Sequence, residues 1–363
     1  LVERLERVVR ERVGQRVQES DCQRSGGSGI TLIDLGRKIF GSNWREGKHL
    51  DLLNEKLIAV IEGRIKRLII EMPPRSAKTT MCCQLMVPVY LSHHPHKRAI
   101  YTTYQAGKAA EWGRKSRDVI ERYSGELGIS VRGDRRAANA WDIEHHRGGM
   151  MTAGVGGPLV GSGADLLIVD DPIKNHEEAD SEVIREKLYD WLESTAFTRL
   201  EPDSAVILIM HRWRRDDIVG KVKEEAAKTG EKWEVVRLPA LAEESGDILG
   251  RAPGECLWPQ RFTQAEVEER KLVTAPRWWN ALYMQDPKNE GGSEWPDEWF
   301  QHESLYFDEW PSDVTLSAMS LDPSKGKDSK SSDFQALIRG VRDRAGTIYV
   351  EAWLEKIDTK TMS

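Results

Sequence analysis

Leu68 to Thr80 reads LIIEMPPRSAKTT: an apolar run, a proline turn, then Lys78-Thr79-Thr80 opening a helix expected over residues 81–90. Phosphate binding needs this order of residue types. Backbone N–H groups of a tight turn wrap one phosphate, an ammonium reaches its neighbours, and a hydroxyl ligates Mg²⁺. On this reading Pro74, Arg75, Ser76, Ala77, Lys78, Thr79 and Thr80 form a nucleotide cradle, with Thr79 also a metal ligand. The strict glycine-rich pattern is not met, because Met72 and Ala77 stand at its glycine positions; a solvated first-turn lysine is the other reading of Lys78. A second segment, LLIVDD over Leu166 to Asp171, is a buried-type strand ending in paired acids. Such an end is where α/β sheets bind ligands. Asp170 is expected in the Mg²⁺ shell and Asp171 as general base for the attacking water. The alternative makes Asp171 the cap of a following helix. A third segment, Ala205 to Met210, runs into His211-Arg212-Trp213-Arg214-Arg215-Asp216-Asp217. His211 and Arg212 are candidates to sense a γ-phosphate, against an exposed basic turn before a helix capped by Asp216.

These groups need a scaffold, and the flanking pattern supplies one. Helical spacing over His49 to Glu62 is followed by a strand at Arg67 to Glu71. Strands at Ala99 to Thr103, Asp165 to Asp170 and Ala205 to Met210 then alternate with helices over residues 106–123, 181–198 and 216–227. Trp233 to Leu238 is a further strand candidate. Alternation of this kind predicts an α/β fold with a mainly parallel sheet and helices on both faces. After Pro239 the chain turns acidic and rich in Pro and Trp, and from Thr315 strand-like runs resume over residues 315–322, 334–341 and 346–353. A loosely attached helix is expected over Leu1 to Gln18, before a Gly/Ser-rich stretch.

Composition narrows the class. In 363 residues, 39% hydrophobic and 31% charged, with 30 Gly and 15 Pro, the chain is neither collagen-like nor low-complexity. No uninterrupted apolar stretch approaches the roughly 20 residues that span a bilayer. Four cysteines, two of them the neighbours Cys82 and Cys83, argue against a disulfide framework and for a reducing compartment. A net charge of -6 gives no global argument for nucleic acid. Local basic runs are another matter: Lys108, Arg114, Lys115 and Arg117 read either as a solvated helix face or as contacts to DNA phosphates. His93, His94 and His96 near Cys82 and Cys83 lack zinc-ligand spacing and read as a surface turn beside core cysteines.

The segments IKRLIIEMPPRSAKTT, GSGADLLIVDDPIKN, ILIMHRW, CLWPQRF, ALYMQDP and SLDPSKGKDSKSSDFQAL together resemble the large terminase subunit of tailed bacteriophages. The resemblance runs from about Gly41 to the end. That family carries a variant loop, P-P-R-x-x-K-[ST], which accounts for the missing glycines. It implies an ATP-hydrolysing motor that drives double-stranded DNA into a procapsid. Its P-loop NTPase core is followed by an RNase H-like nuclease domain. It further implies ATP and Mg²⁺ at the first site and Mg²⁺ or Mn²⁺ at the second, with Arg75 and Arg212 catalytic beside Asp171. Implied partners are the portal protein, the small terminase subunit and a homo-oligomeric ring, in the cytoplasm of the infected host and docked on the procapsid portal.

On this resemblance residues 1–40 form an N-terminal helix and linker, 41–240 the ATPase domain, 241–312 a linker subdomain and 313–363 the start of the nuclease. Asp322 matches the first nuclease metal ligand and Asp333 is a weaker match; the remaining acids are expected beyond Ser363. The family's arginine between glycines is missing at Gly161-Ser162-Gly163, which leaves Arg135, Arg136 and Arg147 as candidates to act on a neighbouring subunit. The second acid is Asp171 where relatives often have Glu, with Glu177 or Glu178 as possible helpers. The rival readings are a helicase-like or remodelling ATPase, and a scaffold that binds nucleotide without turnover.

Overall fold

A computed structural model describes residues 29–157, 159, 163–243, 246–288, 305–322 and 335–355. The helix expected over Leu1 to Gln18, and also Gly161, Ser162 and Asp333, lie outside the described residues. The chain divides into two compact units, Leu1–Glu290 and Gly291–Ser363.

The first unit is built on an eight-stranded sheet. Its strands are β1 (Arg67–Glu71), β2 (Arg98–Thr103), β3 (Val131–Ala137), β4 (Ala140–Ile143), β5 (Gly149–Gly154), β6 (Ala164–Asp170), β7 (Leu200–Met210) and β8 (Glu234–Arg237), in the order β3-β4-β5-β2-β6-β7-β1-β8. From β5 to β8 every pairing is parallel; β3 and β4 add an antiparallel ribbon at one edge. The mainly parallel α/β architecture is as the alternating pattern predicts. Strands covered on both faces read as unbroken apolar runs, and RLII, LLIV and AVILIM are such runs.

Alternation along each strand sorts these residues into two cores. Leu68, Ile70, Ala99, Tyr101, Leu166, Ile168, Ile207 and Ile209 join one, with the helices Leu32–Phe40, Lys48–Ile61 and Ala106–Arg122. Ile69, Ile100, Leu167, Val169, Val206 and Leu208 face the other, with the helices Glu182–Trp191 and Ile218–Thr229. Full burial of one such side chain is worth about 1.5–3 kcal/mol, so the two faces fix the register of the strands firmly. Within the stretch read as Pro- and Trp-rich linker texture, Trp258 belongs to this unit: it is 6% exposed in the first core, and its indole N–H donates to the Glu46 carbonyl at 2.8 Å.

Among the described residues no helix is long and apolar enough to cross a membrane. The second unit contains β9 (Val314–Asp322), β10 (Gln335–Asp343) and β11 (Ile348–Glu355), an antiparallel sheet in the order β11-β10-β9. Asp322 ends β9 opposite Ala336.

Candidate nucleotide site

Parallel pairing brings the C-terminal ends of β2, β6, β7 and β1 level, with Thr103 opposite Asp170, Asp170 opposite Ile209 and Glu71 opposite Met210. The chain leaves β1 through Met72, Pro73 and Pro74 and turns over residues 74–77. Arg75 (φ 62°) and Ala77 (φ 65°) both take left-handed backbone. This conformation suits glycine and strains a residue carrying a Cβ, and alternated with right-handed residues it turns successive N–H groups into one concavity that favours an anion. The loop thus makes its curve without glycine. Lys78 and Thr79 then open a helix whose Thr80–Leu85 stretch is π-helical, a form frequent at functional sites.

Lys78 is 5% exposed, and its ammonium donates to the Met72 carbonyl at 3.0 Å and the Pro73 carbonyl at 3.4 Å. It also lies 3.6 Å from Asp171 Oδ2 and 3.4 Å from His211 Nδ1. This placement excludes the solvated first-turn lysine. Arg75 is exposed on the loop.

The paired acids have different surroundings. Asp170 is 1% exposed; its Oδ2 accepts from the Tyr101 hydroxyl at 2.9 Å, while Oδ1 is buried without a hydrogen-bond partner among the described residues. Burial, and then the neighbouring Asp171 charge, push its pKa up. Asp171 continues the ladder through its N–H to the Ile209 carbonyl at 2.8 Å, then turns at φ 39°. Its Oδ1 accepts the His211 backbone N–H at 3.2 Å and sits 3.2 Å from His211 Nδ1. Burial would raise this carboxyl, but Lys78 and His211 outweigh it and hold Asp171 below the ordinary carboxylate range. Asp171 does not cap the next helix; Asn175 does, accepting from the Glu178 N–H at 3.1 Å. Glu178 accepts from the Lys174 N–H at 2.9 Å and is thereby engaged in the same turn.

The residues can hold Mg²⁺. An orphaned, buried carboxylate oxygen on Asp170 and a Thr79 hydroxyl beside that carboxylate are hard oxygen donors of the kind this ion takes. Cys82 and Cys83 are both 0% exposed and lie in the first core, as expected of core cysteines.

Arg212 departs from expectation. It is 6% exposed, with Nε on both Asp217 oxygens at 3.0 and 2.9 Å and Nη1 on Glu71 at 2.7 Å. Its Nη2 donates to the Arg214 and Arg215 carbonyls. A guanidinium so fully engaged does not reach toward a phosphate, so a direct γ-phosphate contact is corrected to a buried ionic knot beneath the site. His211 alone of the pair faces the acids. The helix cap is likewise Asp217, accepting from Gly220; Asp216 instead pairs with Arg185 at 2.7 Å.

Residues that sequence reasoning did not find complete the surroundings. Tyr101 sits on a strand whose sequence gives no sign of partnering an acid. Gln285, 2% exposed, accepts the Arg212 backbone N–H at 3.0 Å and ties residues 279–285 to the end of β7. Of the basic helix face, Lys108 and Lys115 pair with Glu111 at 3.1 and 2.9 Å, and Arg117 with Asp118 at 2.8 Å, as on a solvated surface. Arg135 and Arg136 lie on the edge strand β3, paired with Asp142 and Glu121. Arg147 is exposed beyond β4.

A protein-family model described as the large terminase subunit of T4-like virus type, N-terminal, matches residues 69–302. No curated protein matches the chain. Among solved structures, the large terminase of bacteriophage HK97 is 13% identical with a TM-score of 0.47, covering 90% of this chain and 68% of that one. The large terminase of a thermophilic bacteriophage in complex with ADP is 10% identical with a TM-score of 0.40, covering 85% and 69%. The ATPase domain of the Thermus phage P74-26 large terminase is 11% identical with a TM-score of 0.34, covering 70% and 98%. The family match carries the assignment; these structural likenesses are too distant to add to it.

Proposed function

The chain belongs to the large terminase subunit family of the T4-like type, and on that premise we propose that its first unit is an Mg²⁺-dependent ATPase that drives double-stranded DNA into a procapsid. The observation that carries the ATPase reading is the meeting of Lys78, Asp170, Asp171 and His211 at the level ends of β1, β6 and β7. Two acids held in opposite protonation tendencies beside one buried ammonium are an arrangement suited to phosphoryl transfer.

Residues 74–80 bind the phosphates, the turn with its backbone N–H groups and Lys78 with its charge, while Arg75 stands on the exposed side of the loop, free to meet the γ-phosphate. Thr79 and Asp170 would hold Mg²⁺, which when bound neutralises charge on the transferred group. Asp171 orients the attacking water and accepts its proton. A carboxylate held below its ordinary range is the weaker base but stays ionised, and a loose phosphoryl transition state asks chiefly for positioning and charge. His211 fixes Asp171 through its backbone N–H. Arg212 couples the site to residues 279–285 through Gln285 without touching the nucleotide.

By family membership the working form is a ring on the portal, served by a small terminase subunit in the host cytoplasm, each protomer lending an arginine to the next. Arg135, Arg136 and Arg147 are the exposed candidates. Asp322, at the end of the first strand of the second unit, supports reading that unit as the opening of an RNase H-like nuclease with Mg²⁺ or Mn²⁺ as its metal. The domain divisions proposed are 1–40, 41–240, 241–312 and 313–363.

The test is Mg²⁺-dependent ATP hydrolysis, with and without linear duplex DNA, in the parent chain and in Lys78→Ala and Asp171→Asn. Each variant is expected to lose about 100-fold or more in turnover, the scale of losing one charge-stabilising group, while keeping its fold. A wild-type rate in either refutes its role. ATP binding without turnover in the parent chain, alone and at ring-forming concentration, favours the scaffold.

A further inference from the structure

We infer that Tyr101 is the positioning residue of the metal-binding carboxylate, deciding which oxygen of Asp170 faces the phosphate loop; this rests on the reading of Asp170 as a metal ligand. β2 lies between β5 and β6 and pairs with β6 in parallel, Tyr101 opposite Ile168 and Thr103 opposite Asp170. Alternation sends Tyr101 to the face shared by Leu166 and Ile168, and two residues beyond Ile168 the same alternation presents Asp170. A phenol is long enough to reach along the neighbouring strand by that one repeat, and it does: its hydroxyl donates to Asp170 Oδ2 at 2.9 Å.

Both partners are 1% exposed, so neither competes with bulk water for the bond. The terminal torsion of an aspartate is by itself broad and two-fold, and Tyr101 is the partner that the strand pairing supplies to one of its oxygens. With it, Oδ2 is occupied by a ring locked in a close-packed core, and Oδ1 is left as the buried oxygen with no hydrogen-bond partner among the described residues. The same strand end steadies the acids' backbone, since Thr102 donates to the Ile168 carbonyl at 3.3 Å and Thr103 to the Asp171 carbonyl at 3.4 Å. β2 thus grips β6 on both sides of Asp170 by its main chain, and Asp170 itself by Tyr101.

Partners that orient a metal ligand typically change metal affinity by about 10–100-fold when removed. Mn²⁺ binding in the presence of ATPγS, followed by electron paramagnetic resonance, should therefore weaken by about 10-fold or more in Tyr101→Phe. Metal-free ADP binding and the thermal midpoint should move little, because the ring and its packing remain. Tyr123→Phe, which removes a phenol hydroxyl that donates to the Lys38 carbonyl at 3.0 Å and takes no part in this site, should leave Mn²⁺ binding unchanged. In an Asp170→Asn background, Tyr101→Phe should add nothing. Unchanged Mn²⁺ affinity in Tyr101→Phe overturns the inference, as does an equal loss of metal-free ADP binding or a failure to fold, either of which assigns the hydroxyl a purely structural role. If Asp170→Asn itself leaves Mn²⁺ binding intact, the reading of Asp170 falls; if only Tyr101→Phe is silent, that reading stands and the present one falls.

Discussion

Truncating Arg212 separates a structural knot from a phosphate contact. In Arg212→Ala, Glu71 and Asp217, both 0% exposed, lose the guanidinium they share. Glu71 keeps Lys223 at 2.8 Å, and Asp217 keeps the N–H groups of Trp213 and Gly220 at 3.1 and 3.0 Å. Neither carboxylate is stripped bare, which places the loss toward the lower part of the ~3–5 kcal/mol range for breaking a buried ion pair. Against a typical total of about 5–15 kcal/mol this is a large fraction of the stability of the fold. For a unit of this size it corresponds to a fall in Tm on the order of 10 °C. The assay is urea denaturation followed by tryptophan fluorescence, beside ATP turnover at a temperature where both proteins are folded. Arg212→Lys should recover only part of the loss, because one ammonium cannot replace a planar fork that spans two acids and two carbonyls. An unchanged denaturation midpoint with turnover abolished would refute the knot and restore Arg212 to the phosphate.

Two further outcomes test the neighbourhood of the loop. His49 is 0% exposed, and burial lowers its pKa from 6.5 to about 3, outweighing the Ser76 backbone beside the ring. Its stabilising contribution is therefore complete above pH 6.5 and is lost as pH falls toward 3, because the unfolded chain takes up the proton first; by pH 5 this amounts to about 2 kcal/mol. Denaturation of the parent chain and of His49→Leu between pH 7.5 and 5 should show the parent losing stability more steeply by that amount, and parallel curves would contradict it. At Ala77, held at φ 65°, Ala77→Gly should keep or strengthen nucleotide binding, whereas Ala77→Val should weaken it, since a left-handed residue with a Cβ already costs roughly 1–2 kcal/mol and branching adds to that. Equal ADP affinities for glycine and valine would show that the loop straightens when it binds.

How far the sequence discloses this site follows from the range over which each part acts. β1, β6 and β7 are legible because strands buried on both faces leave unbroken apolar runs, and because each run stops at a charged or proline-bearing turn. The strands β3, β4 and β5 escape notice: VRGDRRA is a polar edge strand without alternation, and GMMTAG carries too little apolar pattern to stand out. The helix Leu32–Phe40 is short and begins at a capping box on Thr31 and Asp34 that is visible only when sought. Trp258 reads as linker texture because nothing local reveals that His49 waits 4.9 Å away, edge to face. The same blindness covers Arg212, whose two acids come from its own turn and from the end of β1. One partner, Asp217, is local; the other, Glu71, is joined to it only by the parallel order β7-β1.

The adjacent acids show why topology, and not composition, assigns the chemistry. Two consecutive aspartates are identical in composition; their order at the strand end suggests the proposed division between metal ligand and base, and the fold gives it a physical reason. The fold separates them by alternation. Asp170 falls on the face where β2 offers a phenol and the loop helix offers buried cysteines. Asp171 turns off the strand at φ 39° into contact with Lys78 and His211. Burial and the neighbouring Asp171 charge raise the pKa of Asp170, the carboxyl that gains most from a bound metal; Asp171, with two basic partners, stays ionised and holds its geometry. Removing each acid's own partner should affect that acid's role alone: Tyr101→Phe should act on metal affinity, and His211→Asn, which keeps the backbone N–H to Asp171 but removes the ring, should act on kcat with metal affinity intact. If both changes move metal affinity alike, the two carboxylates share one function and the division drawn between them is wrong.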